Sequence, residues 1–581
     1  MLADVVVAAM RWIADNQTFV LVVLAISLAI YKLVLYPFFL SPLRHIPGPY
    51  LHRISHIPSL DAQRRHKWIE IIHNLHAKYG NVVILSPTAV SCNGDPKFIN
   101  DIYVKNMPKH KFYENFRNHG FKDNIFASLE NDRHVKYKRL VQNLYSKTAV
   151  FNPKNSSRQN VIEKVGHLIQ TVYNSSVTGK EPDLRNARLA LNEHGKGHAL
   201  GSGKWFNQNN KKSHLGIDVY SLFGALAMDV VSAFELGMEN GTHLLLSAEK
   251  RDILVPHRMQ AGMVFWTTLM PRFWDWAAGE AIREASKQIE EWQLNLYAKA
   301  EENVPKLRDG ENMTTLETFK KNGYKGKYAY TFLSDNIFAG HETTAIQLTY
   351  MCYELSRPAN RFRQARLRQE LVEAFGVSKL VNDIISDLEV VDKLPYLEAL
   401  MQENSRVHTS IPGSEPRVTD KPYVVKVGDK DAVLVELPVG TQISCQPYSM
   451  HRVESVFEKA DLWIPERWLQ KENESEFEYK ARMTNMQRYM MPFGKGIRMC
   501  LGMNIAVIEM KLALANLYWK FTSDICRDWC DVVETDVEVG NKIEIGSHYM
   551  KSSTDESMMT MVDAYTTRPY FDECWLEWLD A

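Results

Sequence analysis

One cysteine stands in a setting that suits it to hold a metal. Cys500 lies in Phe493-Gly494-Lys495-Gly496-Ile497-Arg498-Met499-Cys500-Leu501-Gly502, with an aromatic seven residues before it and an arginine two before it. Glycines in such a loop let the backbone take φ > 0 and come close to a bound group. The loop N–H groups, and those that open the helix after it, stabilise negative charge on sulfur. Arg498 offers a planar, permanently charged fork to nearby carboxylates. A buried cysteine in a turn is the plainer alternative, but every specified position of F-x-x-G-x-R-x-C-x-G is filled.

Two further constellations sit on predicted helices. An apolar helix from Tyr328 to Arg357, ended by Pro358, carries Ala339-Gly340-His341-Glu342-Thr343-Thr344 at its middle. A glycine costs a helix interior about 1 kcal/mol, and Glu and Thr in apolar surroundings need partners. Glu403-Asn404-Ser405-Arg406 places an acid and a base at i,i+3 on one face of a helix opened by Leu394-Pro395. Such a pair is common by chance. Pro465-Glu466-Arg467-Trp468 follows it, before the cysteine loop.

The elements that must position these groups are mostly helical. Residues 62–79 predict a helix stopped by Gly80, and 81–87 and 89–92 a hairpin with a Pro-marked turn. Basic residues 131–147 predict an amphipathic helix, and Gly216 to Leu236 an apolar one. Residues 254–275 are rich in Met and aromatics, which suits core packing or the roof of an apolar pocket. The charged stretch 280–312 predicts a solvated helix with a loop after it. Short strands are expected at 423–427, 432–435 and 442–444, and a terminal strand pair at 558–566.

Composition is that of a globular protein, 45% hydrophobic and 24% charged. Lys+Arg and Asp+Glu both total 69, and no basic repeat or zinc-finger spacing occurs, so nothing calls for a nucleic-acid partner. Seven scattered cysteines suggest a reducing compartment rather than a disulfide framework. Residues 193–214 are glycine-rich and basic, yet Gly203-Lys204-Trp205 fails the phosphate-loop pattern and reads as an exposed loop.

Residues 18–40 form an apolar run with one charge, Lys32. As a helix it is about 34 Å long, enough to span a hydrocarbon core. The run continues past the small residues 25–29, which favours an anchor over a cleaved signal. Arg11 is opposed by Asp4 and Asp15 on one side, while Lys32, Arg44 and Arg53 lie on the other, so the large domain is expected to face the cytosol.

The loop at Phe493–Gly502 resembles the haem-binding loop of the cytochrome P-450 family, and the other motifs follow in that family's order from the anchor to about residue 570. The resemblance implies a mainly α fold: one large multihelical domain with small β-sheets behind one N-terminal transmembrane helix. Its segments would be a lumenal 1–17, an anchor 18–40, a proline-rich hinge 41–60 and a haem-thiolate domain 61–581. It implies haem b, with the Cys500 thiolate as axial ligand of the iron. Phe493, Gly494, Arg498, Gly502, His134, Lys138 and Arg417 would bind the cofactor. The family more often has Arg at the Lys138 position, and Arg139 is a rival. Gly340 would leave room for dioxygen, Thr343 would hydrogen-bond the oxygen being activated, and Glu342 would feed protons. Glu403, Arg406 and Arg467 would form a structural network.

The implied activity is monooxygenation of an apolar small molecule by O2, in the style of fungal members that tailor specialised metabolites. Fatty-acid or xenobiotic hydroxylation is the alternative. A haem-thiolate isomerase or dehydratase, and a haem sensor or carrier without turnover, are the readings of other kinds. Electrons would come from NADPH-cytochrome reductase, with cytochrome b5 as a second donor, at the endoplasmic reticulum membrane.

Overall fold

In a computed structural model, residues 12, 14–120, 123–180, 216–247, 249–261, 263, 265–303, 313–380, 382–428, 432–527, 529–534, 545–546 and 553–581 are described. The loop expected at 193–214 lies outside them.

The apolar N-terminal segment is helical from Gln17 to Leu40, its side chains exposed except half-buried Val20 and buried Pro37. It is α-helical to Ile30 and π-wound from Tyr31, around Pro37, which has no N–H to offer and crowds the preceding turn. Beyond it Leu43 and Ile46 are buried, and Ile84 donates its N–H to the Pro47 carbonyl at 2.9 Å, so the proline-rich segment docks on the first strand.

That strand, Val82–Ser86, pairs antiparallel with Ala89–Cys92 across the Pro87 turn. The hairpin continues into Gln442–Ser444 in parallel and Arg417–Val418 antiparallel, giving a four-stranded sheet. Tyr423–Val427 and Val433–Leu437 form a separate hairpin.

Three expectations are corrected. The helix expected over 62–79 is two, Ile57–Arg64 and Trp68–Tyr79, broken where His66 takes φ 52°. A distant residue starts the second: the Asp563 carboxylate accepts from Ile69 N–H at 2.5 Å. The basic helix ends at Val141. Residues 558–566 are not a strand pair. Met558, Met559 and Met561 are wholly buried in the main core, and Thr554 caps a short helix at Asp555–Met558. The terminal strand is instead Trp575–Asp580, in which Trp575, Leu576 and Trp578 are buried. It pairs with Phe521–Ile525 and Ile217–Asp218.

The core is built on Val219–Leu236, Lys327–Ser356 and Met503–Lys520. The first is apolar enough to cross a membrane, yet 94% of it is buried inside the protein. A helix that is hydrophobic all round belongs in such a core. Glu280–Asn303 is the charged helix, with Ala285, Ile289, Gln293, Tyr297 and Ala300 on its buried side.

Candidate functional site

The cysteine loop is folded on itself by hydrogen bonds from Cys500 N–H to the Phe493 carbonyl at 2.9 Å and from Gly494 N–H to the Met491 carbonyl at 3.0 Å. Gly496 is needed twice: its φ is 69°, and a Cβ would sit inside van der Waals contact of the Tyr103 carbonyl. Cys500 is exposed although the helix after it is buried. Desolvation raises its thiol pKa, while the N–H groups of Gly502 and Met503 and the Lys138 ammonium lower it. Those donors open Met503–Lys520, the arrangement that holds a thiolate.

Lys138 Nζ donates to the Ile497 and Met499 carbonyls, both at 2.9 Å. The structure thus uses it to clamp the cysteine loop. His134, one turn earlier, is 4% exposed and faces a different group. Arg417 and Lys109 are buried beside it, with Arg498 half-buried. Burial and then these cations push the His134 imidazole down to about 3, and burial with Arg417 pushes Arg498 down to about 10.

Arg498 donates to the Ser128 and Leu129 carbonyls at 2.7 and 3.0 Å, and Arg417 to the Tyr113 hydroxyl at 3.1 Å. The nearby acids are Glu415 and Asp335, both pushed up by burial. The buried cluster therefore carries more positive charge than its acids balance. Arg498 Nε and His134 Nδ1 have no hydrogen-bond partner among the described residues. A ligand bearing two carboxylates and a metal that takes sulfur fits this donor set.

Lys109 carries no signal in the sequence. It lies in a proline-marked loop and reaches the cluster because a β-bridge joins it to Arg417. Its ammonium donates to the Phe126 carbonyl at 2.6 Å and lies 4.0 Å from the Tyr113 and Phe126 ring centres.

The brace of the loop is buried. Glu403 accepts from Arg406 Nε and Nη2, both at 2.8 Å, from Arg467 Nε at 3.0 Å, from the Trp468 indole at 2.9 Å and from Ile464 N–H at 2.7 Å. Burial alone would raise its pKa, but the two arginines hold it down to about 2. Arg406 also donates to the His451 carbonyl, and His451 Nε2 accepts from Met491 N–H at 2.9 Å, where the cysteine loop begins. The chain from Glu403 to the loop is thus continuous.

On Lys327–Ser356, Ala339 is exposed and Thr343 partly so, within a helix otherwise largely buried. Thr343 Oγ1 donates to the Ala339 carbonyl at 2.7 Å, and Ser410 Oγ to the Thr343 carbonyl at 2.9 Å. The missing side chain of Gly340 points at Val231, whose Cγ2 would lie 2.9 Å from a Cβ. Here the glycine lets Val219–Leu236 approach closely, whereas room for dioxygen was expected of it.

Glu342 turns away from Thr343. Its Oε2 accepts from the Thr566 hydroxyl at 3.0 Å, and burial pushes its carboxyl up to about 7 against the pull of Arg568, Thr566 and Arg258. The link to residues 566–572 was invisible from the helical motif, because those partners lie more than 200 positions away.

Aromatic rings line the neighbouring loop. Phe116 stands 5.2 Å from Phe126 and 4.8 Å from Tyr565, and Phe112 and Tyr113 join them. The segment Lys111–Phe116 packs on Phe265–Leu269, part of the Met- and aromatic-rich stretch.

A sequence profile described as Cytochrome P450 matches residues 199–542, more than half the chain. Curated proteins match over most of both lengths. Cytochrome P450 monooxygenase hkm5 of Aspergillus hancockii is 25% identical over 84% of this chain and 86% of its own. Cytochrome P450 monooxygenase BOT1 of Botryotinia fuckeliana is 24% identical over 91% and 95%. Averantin hydroxylase of Dothistroma septosporum is 26% identical over 88% and 87%.

Proposed function

The chain belongs to the cytochrome P450 family and is an oxygenase of that family; we propose that it inserts one oxygen atom of O2 into an apolar organic molecule as a tailoring step in fungal specialised metabolism. The observation that carries the reading is Cys500: an exposed sulfur with two helix-opening N–H groups directed at it and the Lys138 ammonium close enough to favour its negative charge.

In this reading Cys500 would hold the iron of haem b through its thiolate. His134, Arg417, Arg498 and Lys109 would receive its two propionates, whose negative charge their cluster lacks. Phe493, Gly494 and Gly502 shape the loop, and Lys138 holds it closed. When bound, the haem supplies the oxidising chemistry, favoured by electron donation from the thiolate. Thr343 holds a hydroxyl at the open face of the helix. Glu342, near neutrality, can both give and take a proton, as proton delivery into a dry site requires. Glu403, Arg406 and Arg467 fix the frame and touch no reacting group.

The chain divides in this reading as 1–17, 18–40, 41–60 and 61–581, with the catalytic domain on the cytosolic side of the endoplasmic reticulum membrane. A separate NADPH-cytochrome reductase delivers the electrons, with cytochrome b5 as a second donor. Incubation of the holoprotein with reductase, NADPH and ¹⁸O2 over a panel of apolar molecules tests it. Labelled product is expected. Haem binding with no label in any substrate, and no NADPH consumed, would instead favour a carrier.

A further inference from the structure

Three separate segments meet at Ser410, beside Thr343. Ser410 Oγ donates to the Thr343 carbonyl at 2.9 Å and accepts from Gln347 Nε2 at 3.1 Å. The Ser410 carbonyl accepts from Thr567 N–H at 2.9 Å. Thr343 and Gln347 lie about one turn apart on Lys327–Ser356. A single contact would let the segment around Ser410 pivot on that helix, whereas two contacts a turn apart fix both its height and its rotation.

Counting donors gives each bond its direction. Gln347 Nε2 has two protons: one goes to the His408 carbonyl at 2.6 Å and the other to Ser410 Oγ. A serine hydroxyl has one proton, so with a lone pair taken by Gln347 that proton goes to the Thr343 carbonyl. Gln347 Oε1 in turn accepts from Asn404 Nδ2 at 2.9 Å, and the same nitrogen donates to the Gln347 carbonyl at 3.0 Å. Asn404 Oδ1 has no partner among the described residues, and turning the amide round would aim that oxygen at the two Gln347 oxygens. All three side chains are buried, so water competes little for these bonds.

We propose that Asn404, Gln347 and Ser410 are positioning residues that hold the helix turn on which the Thr343 hydroxyl opens to the site. The proposal rests on the oxygenase reading of Thr343. Ser410 has its hydroxyl committed within the protein and acts through Thr343. Asn404 is the neighbour of Glu403 on Pro395–Val407. From Glu403 that helix reaches the cysteine loop through Arg406 and His451, and from Asn404 it reaches the Thr343 turn. Two adjacent residues of one element thus set the two sides of the site in register.

The test uses the full-length holoprotein. Ser410→Ala removes the hydroxyl but leaves Gln347 its bond to His408 and residue 410 its bond to Thr567, so the thermal midpoint should stay close to wild type. One readout needs no turnover: the infrared stretch of carbon monoxide on the reduced iron, which senses the dipoles that face it. In Ser410→Ala that band is expected to shift or broaden. With reductase and NADPH, product per NADPH should fall about tenfold, inside the ~100-fold that a misplacement of about 1 Å can cost, and hydrogen peroxide should rise. Ser410→Thr, which keeps the hydroxyl, should restore both.

Action through Thr343 is tested by combination. Ser410→Ala made in a Thr343→Ala protein should add nothing to either readout. An unchanged band in Ser410→Ala, or a full additional loss in the Thr343→Ala background, would overturn the proposal. Should Ser410→Ala fail to retain haem, Asn404→Leu decides, since it frees Gln347 without altering Ser410 or Thr343: a shifted band supports the chain and a wild-type band rejects it. Failure of the oxygenase reading shows separately, as absence of ¹⁸O from every wild-type product while the band still responds to Ser410→Ala.

Discussion

Two buried glutamates, Glu403 and Glu342, sit on opposite sides of the candidate site and behave in opposite ways. Glu403 is fully buried and held down to about 2; Glu342 is 6% exposed and pushed up to about 7. Desolvation acts on both in the same direction. The difference lies in what touches them. Glu403 has two guanidiniums in direct contact, an indole N–H and a backbone N–H. Glu342 has one hydroxyl donor, and its nearest cations are engaged with Asp572. Direct charge contact outweighs burial, and distant charge does not. The cysteine side of the site thus has a fixed charge that serves as a brace, and the other side an acid that can change its proton.

The sharpest way to break this contrast is to remove each acid. Glu403→Ala strands Arg406, which is fully buried, without its partner. Breaking a buried pair this way costs about 3–5 kcal/mol, so urea unfolding should show a loss of that size and the holoprotein should release haem. Unchanged stability would mean that the network holds nothing. Glu342→Gln removes no paired charge near neutrality. It should leave the unfolding midpoint close to wild type while product formation falls about 100-fold, the lower range for a positioned proton donor. Hydrogen peroxide per NADPH should rise correspondingly.

The pH dependence of stability separates the two acids further. Glu403, depressed in the folded state, contributes stability above the ordinary carboxylate range, and that contribution fades as pH falls towards 2. Glu342 is raised, so the folded state binds more protons than the unfolded one between its ordinary range and about 7. Its contribution therefore lowers stability as pH rises across that window. Glu342→Gln should flatten the curve there; an unaltered slope would place the proton elsewhere.

The same contrast explains what could be read in advance. Cys500, Glu403, Arg406 and Arg467 were legible because their residue types recur at fixed spacings along local segments. Glu342 was legible as a residue, but its environment was not. That environment is made by Thr566, Arg568 and Asp572, in a segment whose Met and Thr content reads as a strand pair. The segment is held instead by burial of its methionines and by contacts such as Asp563 to Ile69. Lys109 was missed for the same reason, since only a β-bridge to Arg417 brings it to the cation cluster. Long-range pairing of irregular segments leaves no period in a sequence.

The finest test of the comparison is Thr566→Val. The Thr566 hydroxyl is the hydrogen-bond donor that Glu342 holds, at 3.0 Å, and it favours the ionised carboxylate. A hydrogen bond to a charged acceptor is worth about 1.5 kcal/mol, and 1.36 kcal/mol corresponds to one pH unit. Removing it should move the alkaline limb of the turnover profile, where Glu342 loses its proton, upwards by about one unit. Thr566→Ser should bring it back. Below pH 7 the carboxyl is protonated and donates or accepts elsewhere, so the variant should unfold much as wild type does. Above pH 7 the unsatisfied carboxylate should make it progressively less stable than wild type. An unmoved limb with an unmoved unfolding curve would show that Arg568 and Arg258, acting from a distance, already set the proton affinity of Glu342, and that contact on this side of the site matters less than it does at Glu403.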